Sequence, residues 1–335
     1  MAQGGNVRVL LARSLTVTAS VAVAGLLLCG WALAGTPPGT PTEIASDVTS
    51  ALAIQSLPSN LSPPVQSAGG DTAYVTTPSL ASCNATGTTI NFSRCVFGDT
   101  HGTRTMVLWG DSHAFMWFPA VNAVAKAAKW KLVPLLEYGC PVADIAVWNP
   151  VTKTPYAACT KFRTNMLAHI NKIDPALVIM SEAFTSQAAS AGGAYNTITT
   201  AQWQTALKKT LTLIHSRGTK KLILGSTIAG PASPSPPQCL AANASTVQLC
   251  TVKDTATQQA QRAAEAAAAK AASTSYVNVL PWLCSSTAIP MACSAVIGDA
   301  TAGYDVVYYS SGHLTETYDL FLRTVLQNAL KPHMR

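Results

Sequence analysis

The chain has 335 residues, of which 48% are hydrophobic and 11% charged. That balance excludes a disordered chain, which carries little apolar residue and much charge, and it allows one large domain or two ordinary ones. The net charge of +7 comes from scattered Lys and Arg. No basic run of the kind that tracks a phosphate backbone occurs, so nucleic acid is not an expected partner.

The first 14 residues hold Arg8 and Arg13 and no acid, residues 15–31 are apolar and uncharged, and Ala32-Leu33-Ala34 follows. A basic start, an apolar core and an A-x-A site describe a secretory signal peptide. A run of about 17 residues also reaches the lower limit of a spanning helix, so residues 1–34 read as a signal peptide or an uncleaved N-terminal anchor. Cys29 raises the possibility of a lipoprotein, but Leu28 is too large for the small residue such a site needs before its cysteine. Both fates export the body, to an extracellular, periplasmic or cell-wall location. Membrane contact is expected only through this segment. Residues 35–80 are rich in Pro, Ser and Thr and read as a linker and extension with one short helix over 42–57.

From residue 81 to residue 335 the pattern alternates. Strands are expected at 105–108, 132–136, 176–180, 220–224 and 276–280. Helices are expected at 115–131, 156–172, 200–217, 252–272 and 314–330. Strands alternating with helices indicate an α/β fold with a parallel sheet covered on both faces. Ligands of such sheets bind at the carboxyl ends of the strands.

Outside the export segment the cysteines are Cys83, Cys95, Cys140, Cys159, Cys239, Cys250, Cys284 and Cys293. An even set in an exported chain points to disulfides, though spacing alone does not fix the pairing. They fall as four near neighbours, so the simplest expectation pairs them in order. No C-x-x-C motif occurs and no His stands at zinc-finger spacing. Neither a metal nor another cofactor is expected.

The sharpest local feature is Met106-Val107-Leu108-Trp109-Gly110-Asp111-Ser112-His113-Ala114. An apolar strand ends in Gly-Asp-Ser-His and a helix begins within a few residues. Ser112 is thereby placed at the carboxyl edge of the sheet, where backbone N–H groups can stabilise an oxyanion. A serine nucleophile needs a base. Tyr308-Tyr309-Ser310-Ser311-Gly312-His313-Leu314-Thr315, before the last helix, supplies His313. The plainer readings stay open at this point. Ser112 or Asp111 could be only a helix cap, His313 a structural histidine, and His113 a structural histidine or a metal ligand.

These residues carry a resemblance. Gly110-Asp111-Ser112-His113 with the late His313-Leu314-Thr315 resembles the SGNH (GDSL-like) hydrolase superfamily. More narrowly the chain resembles the SGNH domain fused to acyltransferase-3 membrane proteins. The narrower match rests on Gly139-Cys140-Pro141, Gln238-Cys239-Leu240, Cys250, Trp282-Leu283-Cys284, Cys293 and the segment from Leu57-Pro58 to Pro63-Pro64. The resemblance implies a flavodoxin-like three-layer α/β/α sandwich with a mostly parallel five-stranded sheet. It implies Ser112 as nucleophile, His313 as general base, and the Ser112 and Gly139 amides as oxyanion donors.

Two departures stand out. The family's Asp three residues before the His is Ser310 here, so the imidazole lacks the carboxylate that orients it and stabilises its charged form. The site would then act as a dyad, with a backbone carbonyl as one substitute orienter and Asp305 as a poorer one. The superfamily's Asn after the third strand is replaced by Ser181-Glu182-Ala183-Phe184. The leading expectation is an exported serine esterase or O-acyltransferase acting on a short acyl ester, acetyl first, of a cell-envelope glycan or lipid. The alternative is a binding module for an acylated glycan or for a membrane acyltransferase partner. A purely structural envelope protein is the third reading. An exposed groove around Trp109, Trp117 and Trp148 would favour recognition over it, whereas the plain expectation for these tryptophans is the core.

Overall fold

Met106-Val107-Leu108-Trp109 and Leu177-Val178-Ile179-Met180 lie side by side in parallel register, Met106 opposite Leu177 and Trp109 opposite Met180, and all eight are buried. Continuous burial without alternation is what a parallel strand covered on both faces requires. The computed structural model describes residues 41–83, 92–215 and 218–335. The expected signal segment, residues 1–34, and the start of the extension lie outside the described residues.

The main sheet contains β1 (Phe97–Gly98), β2 (Arg104–Gly110), β3 (Trp130–Leu136), β4 (Leu177–Ser181), β5 (Lys220–Leu224) and β6 (Ser275–Val277). Their order is β6-β5-β4-β2-β3-β1. Strands β2 to β6 are mutually parallel, whereas β1 joins β3 antiparallel at the edge. The expected five-stranded sheet is therefore a six-stranded one. Two residues are too few to show a period, and β1 is held by tertiary bonds instead. The Gly98 amide donates to Asn122 Oδ1 at 2.8 Å and the Asp99 amide to the Trp130 carbonyl at 2.9 Å.

Counted from β2, the parallel strands run 2-1-3-4-5. The chain leaves β2 for one side and returns to the other, so the switch point falls between β2 and β4, where such sheets open a crevice. Gly110 ends β2 at φ +155°, and a Cβ there would stand 1.9 Å from the Ser181 carbonyl oxygen. Only glycine lets the two strands close up at that point.

The helices follow the expected pattern with shifted ends. The helix expected over 115–131 is two, α2 (Ser112–Met116) and α3 (Phe118–Ala127), broken at Trp117 where Pro119 opens the second. Lys129 at φ +60° then turns the chain into β3. Next come α4 (Ala157–Ile173), α5 (Thr200–Leu213), α6 (Ala256–Ala271), α7 (Glu316–Phe321) and α8 (Arg323–Leu330). The helix expected from 252 starts late because Val252–Lys253 pairs with Ala292–Cys293 and Thr255 caps α6. Trp109 and Trp117 are buried in the core, and Trp148 is half-buried against Tyr195.

From Pro41 onward the segment expected as a linker packs on the domain. Its helix, α1 (Pro41–Ala51), buries Ile44, Val48 and Ala51 in the main core, and Val65 and Ala68 enter a second cluster with Leu240, Val247 and Val306. At roughly 1.5–3 kcal/mol for each fully buried aliphatic side chain, these contacts hold the extension in place.

The disulfides join Cys83 to Cys95, Cys140 to Cys159, Cys239 to Cys250 and Cys284 to Cys293, in sequence order. Cys140–Cys159 closes the longest interval, 19 residues, and fastens the turn after β3 to α4. Loop closure of that size is worth about 3 kcal/mol. Replacing both cysteines by serine is expected to lower the unfolding free energy by about that amount, read by urea titration as a lower midpoint with a raised m-value, because the freed unfolded chain exposes more surface.

Candidate active site

Ser112 begins α2 two residues past the end of β2, and Asp111 caps the helix by accepting the His113 amide on Oδ1 at 2.8 Å. Asp111 thus takes the capping role, and the Ser112 hydroxyl is free for another partner. That partner is His313. Its Nε2 lies 2.8 Å from Ser112 Oγ, across 201 residues of sequence.

His313 sits on a short hairpin in which Tyr308–Ser310 pairs with His313–Leu314 around Gly312 at φ +69°. Neighbouring loops hold the hairpin. Thr227 donates its hydroxyl to the Gly312 carbonyl at 2.7 Å, Ser311 donates its own to the Gly230 carbonyl, and the Leu314 amide meets Met116 Sδ of α2 at 3.4 Å. His313 Nδ1 lies 2.8 Å from the Ser311 carbonyl and 3.2 Å from Ser310 Oγ. A carbonyl accepts only, so Nδ1 carries the proton and Nε2 is left to accept the Ser112 hydroxyl. The backbone carbonyl of Ser311 orients the ring where the family pattern has an Asp. Asp305 does not. It pairs in a separate small sheet, where burial and then the nearby Asp71 carboxylate raise its pKa to about 7. Burial, offset in part by the Ser311 carbonyl, holds the His313 pKa below its usual 6.5.

Gly139 occupies the turn that follows β3. The Glu137 amide donates to the Gly110 carbonyl at 3.1 Å, so this turn runs on beside the Gly110-Asp111-Ser112 segment. The Cys140 amide closes the turn on the Glu137 carbonyl at 3.1 Å, with Gly139 at φ +62° and exposed. That is the position at which a reversed turn needs positive φ. Tyr156, just before α4, donates its hydroxyl to the Glu137 carboxylate, which fastens the turn from the other side.

His113 is buried with its ring 4.8 Å from that of His313, and burial followed by the neighbouring imidazole pushes its pKa down to about 3. It is a neutral wall of the site. Ser112, His313, Ser310, His113 and Asp111 therefore meet, with Gly139 on the same sheet edge.

Three buried carboxylates were not legible as a group. Asp111 Oδ2 accepts the Ala183 amide at 2.8 Å, Glu182 Oε2 accepts the Ala143 amide at 2.9 Å, and Glu265 Oε2 accepts the Ser226 amide at 2.9 Å. Each satisfies a backbone group of a neighbouring loop at the carboxyl edge. Asp111 and Glu182 each had a signal, a charge placed directly after a strand of apolar residues, whereas Glu265 had none. Burial raises Asp111 and Glu265 to about 7 and Glu182 well above its usual value.

Comparison with protein-family models matches the SGNH domain (fused to AT3 domains) over residues 82–328. The chain belongs to that family. Among solved structures it is similar to the periplasmic domain of the lipopolysaccharide acetyltransferase of Salmonella ser. Paratyphi A. The TM-score is 0.56 at 14% identity, over 77% of this chain and 95% of that one, a likeness of fold. Comparison with curated proteins returned no match.

A carboxyl whose pKa is raised by folding binds its proton more tightly in the folded state. Its stabilising contribution is complete below the unfolded value and is lost as pH rises through the folded one. For Glu265 the window runs from 4.5 to about 7. Unfolding free energy is expected to fall with rising pH across it. Glu265→Gln should flatten that slope, compared by denaturant titration at pH 4.5 and 7.5.

Proposed function

We propose that this is an exported serine esterase or O-acyltransferase that works through a Ser112–His313 dyad on a short acyl ester, acetyl first, of a cell-envelope glycan or lipid. The observation that carries the reading is the 2.8 Å contact between Ser112 Oγ and a His313 Nε2 free to accept. The family, found fused to AT3 domains, and the likeness to a lipopolysaccharide acetyltransferase periplasmic domain support the substrate class and a membrane acyltransferase as partner. The apolar segment 15–31 supports export or anchoring. The pairing of α3 with α8 and of α5 with α6 supports a three-layer α/β/α arrangement about the sheet.

In this mechanism Ser112 Oγ attacks the ester carbonyl carbon and its proton passes to His313 Nε2. The tetrahedral oxyanion is held by the Ser112 and Gly139 amides. Collapse breaks the carbonyl–alkoxy bond, and the imidazolium returns its proton to the leaving alcohol. Water or a sugar hydroxyl, deprotonated by His313, then attacks the acyl carbon, the bond to Ser112 Oγ breaks, and the imidazolium returns its proton to Ser112. The Ser311 carbonyl holds the ring but, being neutral, stabilises the imidazolium less than a carboxylate would.

The second reading, a binding module that keeps the fold without turnover, is favoured by one observation. Ser310, at 3.2 Å from Nδ1, stands where a carboxylate would complete a triad. Hydrolysis of 4-nitrophenyl acetate separates the two. Ser112→Ala is expected to abolish turnover, with a loss of at least about a thousandfold. Ser310→Asp is expected to raise kcat by about tenfold or more. Equal rates in wild type and Ser112→Ala would favour the binding module.

The pH profile gives an independent check. The base must be neutral to act, and burial holds its pKa low, so kcat/KM should rise with pH along a limb centred below 6.5. Ser310→Asp should move that limb to higher pH, because a carboxylate favours the charged ring.

A further inference from the structure

Four aromatic rings from four segments meet beside Ser112 and His313. Phe115 lies three residues past Ser112 on α2, and the Tyr74 ring stacks on it with centroids 3.8 Å apart. Tyr138, immediately before Gly139, stands 5.6 Å from both. The Tyr309 ring is 5.5 Å from the His313 ring, and the Tyr309 and Tyr138 hydroxyls are close enough for the ionisation of one to disfavour that of the other. Phe115 is buried and Tyr74 and Tyr309 are half-buried, but Tyr138 is 42% exposed. The core does not need that exposed ring, and no step of the ester chemistry uses it.

The wall has a definite chemistry. Burial pushes Tyr309 up to about 12 and raises Tyr74 and Tyr138 as well, so all three phenols stay neutral. The surface thus combines apolar ring faces with the uncharged hydroxyls of Tyr138 and Tyr309, the Tyr74 hydroxyl being buried behind them, and none of its members is a cation. An anionic substrate would call for Lys or Arg, and a long acyl chain for an aliphatic slot without hydroxyls. A neutral pyranose ring has what this wall offers to match, C–H groups on its faces and hydroxyls at its rim. We propose that Tyr138, with Tyr309 and Tyr74, seats a neutral sugar ring that carries the ester, and that Tyr138 is the specificity-determining residue. This rests on the ester reading above and names the part of the substrate bound next to the reacting carbonyl. Tyr74 belongs to the extension before the domain, so the platform is complete only with that extension in place.

The test uses two esters, 4-nitrophenyl acetate and a methyl glucopyranoside monoacetate, with wild type, Tyr138→Leu and Tyr138→Phe. Tyr138→Leu is expected to shift the ratio of kcat/KM values at least about tenfold against the sugar ester, chiefly through its KM, which is about 1.4 kcal/mol. Tyr138→Phe, which keeps the ring face and loses one hydroxyl, should shift the ratio in the same direction but by less than Tyr138→Leu. A Leu variant that loses rate equally on both esters would overturn the platform, since the residue would then only shape the Gly139 turn.

A direct binding arm keeps the two readings apart. The monoacetate is titrated by NMR into Ser112→Ala and into Ser112→Ala with Tyr138→Leu. If wild type hydrolyses neither ester, the serine reading fails alone. Saturable binding to the first and at least about tenfold weaker binding to the second would still support the platform. Equal binding to both, or none to either, would overturn it.

Discussion

Backbone amides at the carboxyl edge of a parallel sheet emerge into loops with no ladder partner, and a buried amide left unpaired costs about 1–3 kcal/mol. In this protein that constraint is met by side-chain carboxylates. Asp111, Glu182 and Glu265 each accept an amide from a neighbouring loop, tying the ends of β2, β4 and β5 to their surroundings. Asp111 does so twice, since its other oxygen caps α2. The same residue thereby fixes the backbone on which Ser112 stands and the start of the loop after β4. The serine is held by bonds it does not make itself.

The histidine is held differently. Among the described residues no carboxylate reaches its Nδ1, and the Ser311 carbonyl, two residues away, takes that place. A carbonyl two residues off on a tight hairpin has little freedom, so the ring is well oriented. A neutral acceptor supplies orientation without much charge stabilisation. The hairpin is in turn fastened by Thr227 and by Ser311 to the loop after β5. The geometry of the pair is therefore complete, while the electrostatic support for its charged form is weaker than a carboxylate would give.

The extension contributes to both sides of this arrangement. The Asp71 carbonyl and carboxylate accept the Glu316 and Thr317 amides at 3.0 Å each, at the start of α7, just past His313. Thr76 donates to the Glu316 carboxylate, and Tyr74 stacks on Phe115 just past Ser112. A segment whose composition reads as a linker is thus packed against the elements that follow both members of the pair. Its Pro, Ser and Thr content reflects irregular backbone, since such residues favour turns over long helices. Its irregular stretches are compatible with close packing because the short helices between them carry Ile44, Val48, Val65 and Ala68 into apolar surroundings.

The sequence by itself determined the parallel strands, the alternation with helices, and Ser112 and His313 as the pair to watch. These are local or compositional signals. Continuous apolar runs mark strands buried on both faces, and Gly-Asp-Ser-His at the end of such a run puts a hydroxyl at the sheet edge. Short intervals between neighbouring cysteines likewise made in-order pairing the simplest expectation. The break at Trp117, the two-residue strand Phe97–Gly98 and the late start of α6 were not legible, because each is decided by a partner far away in the chain. The Ser311 carbonyl, the three buried carboxylates and the tyrosine wall had no shared signal for the same reason. A backbone group, a buried acid or a ring carries no mark of its neighbours until the sheet order brings the loops together. Only the tertiary structure decided that Nδ1 meets a carbonyl rather than Asp305, since which groups lie within hydrogen-bond reach is set by hairpin geometry and not by distance along the chain.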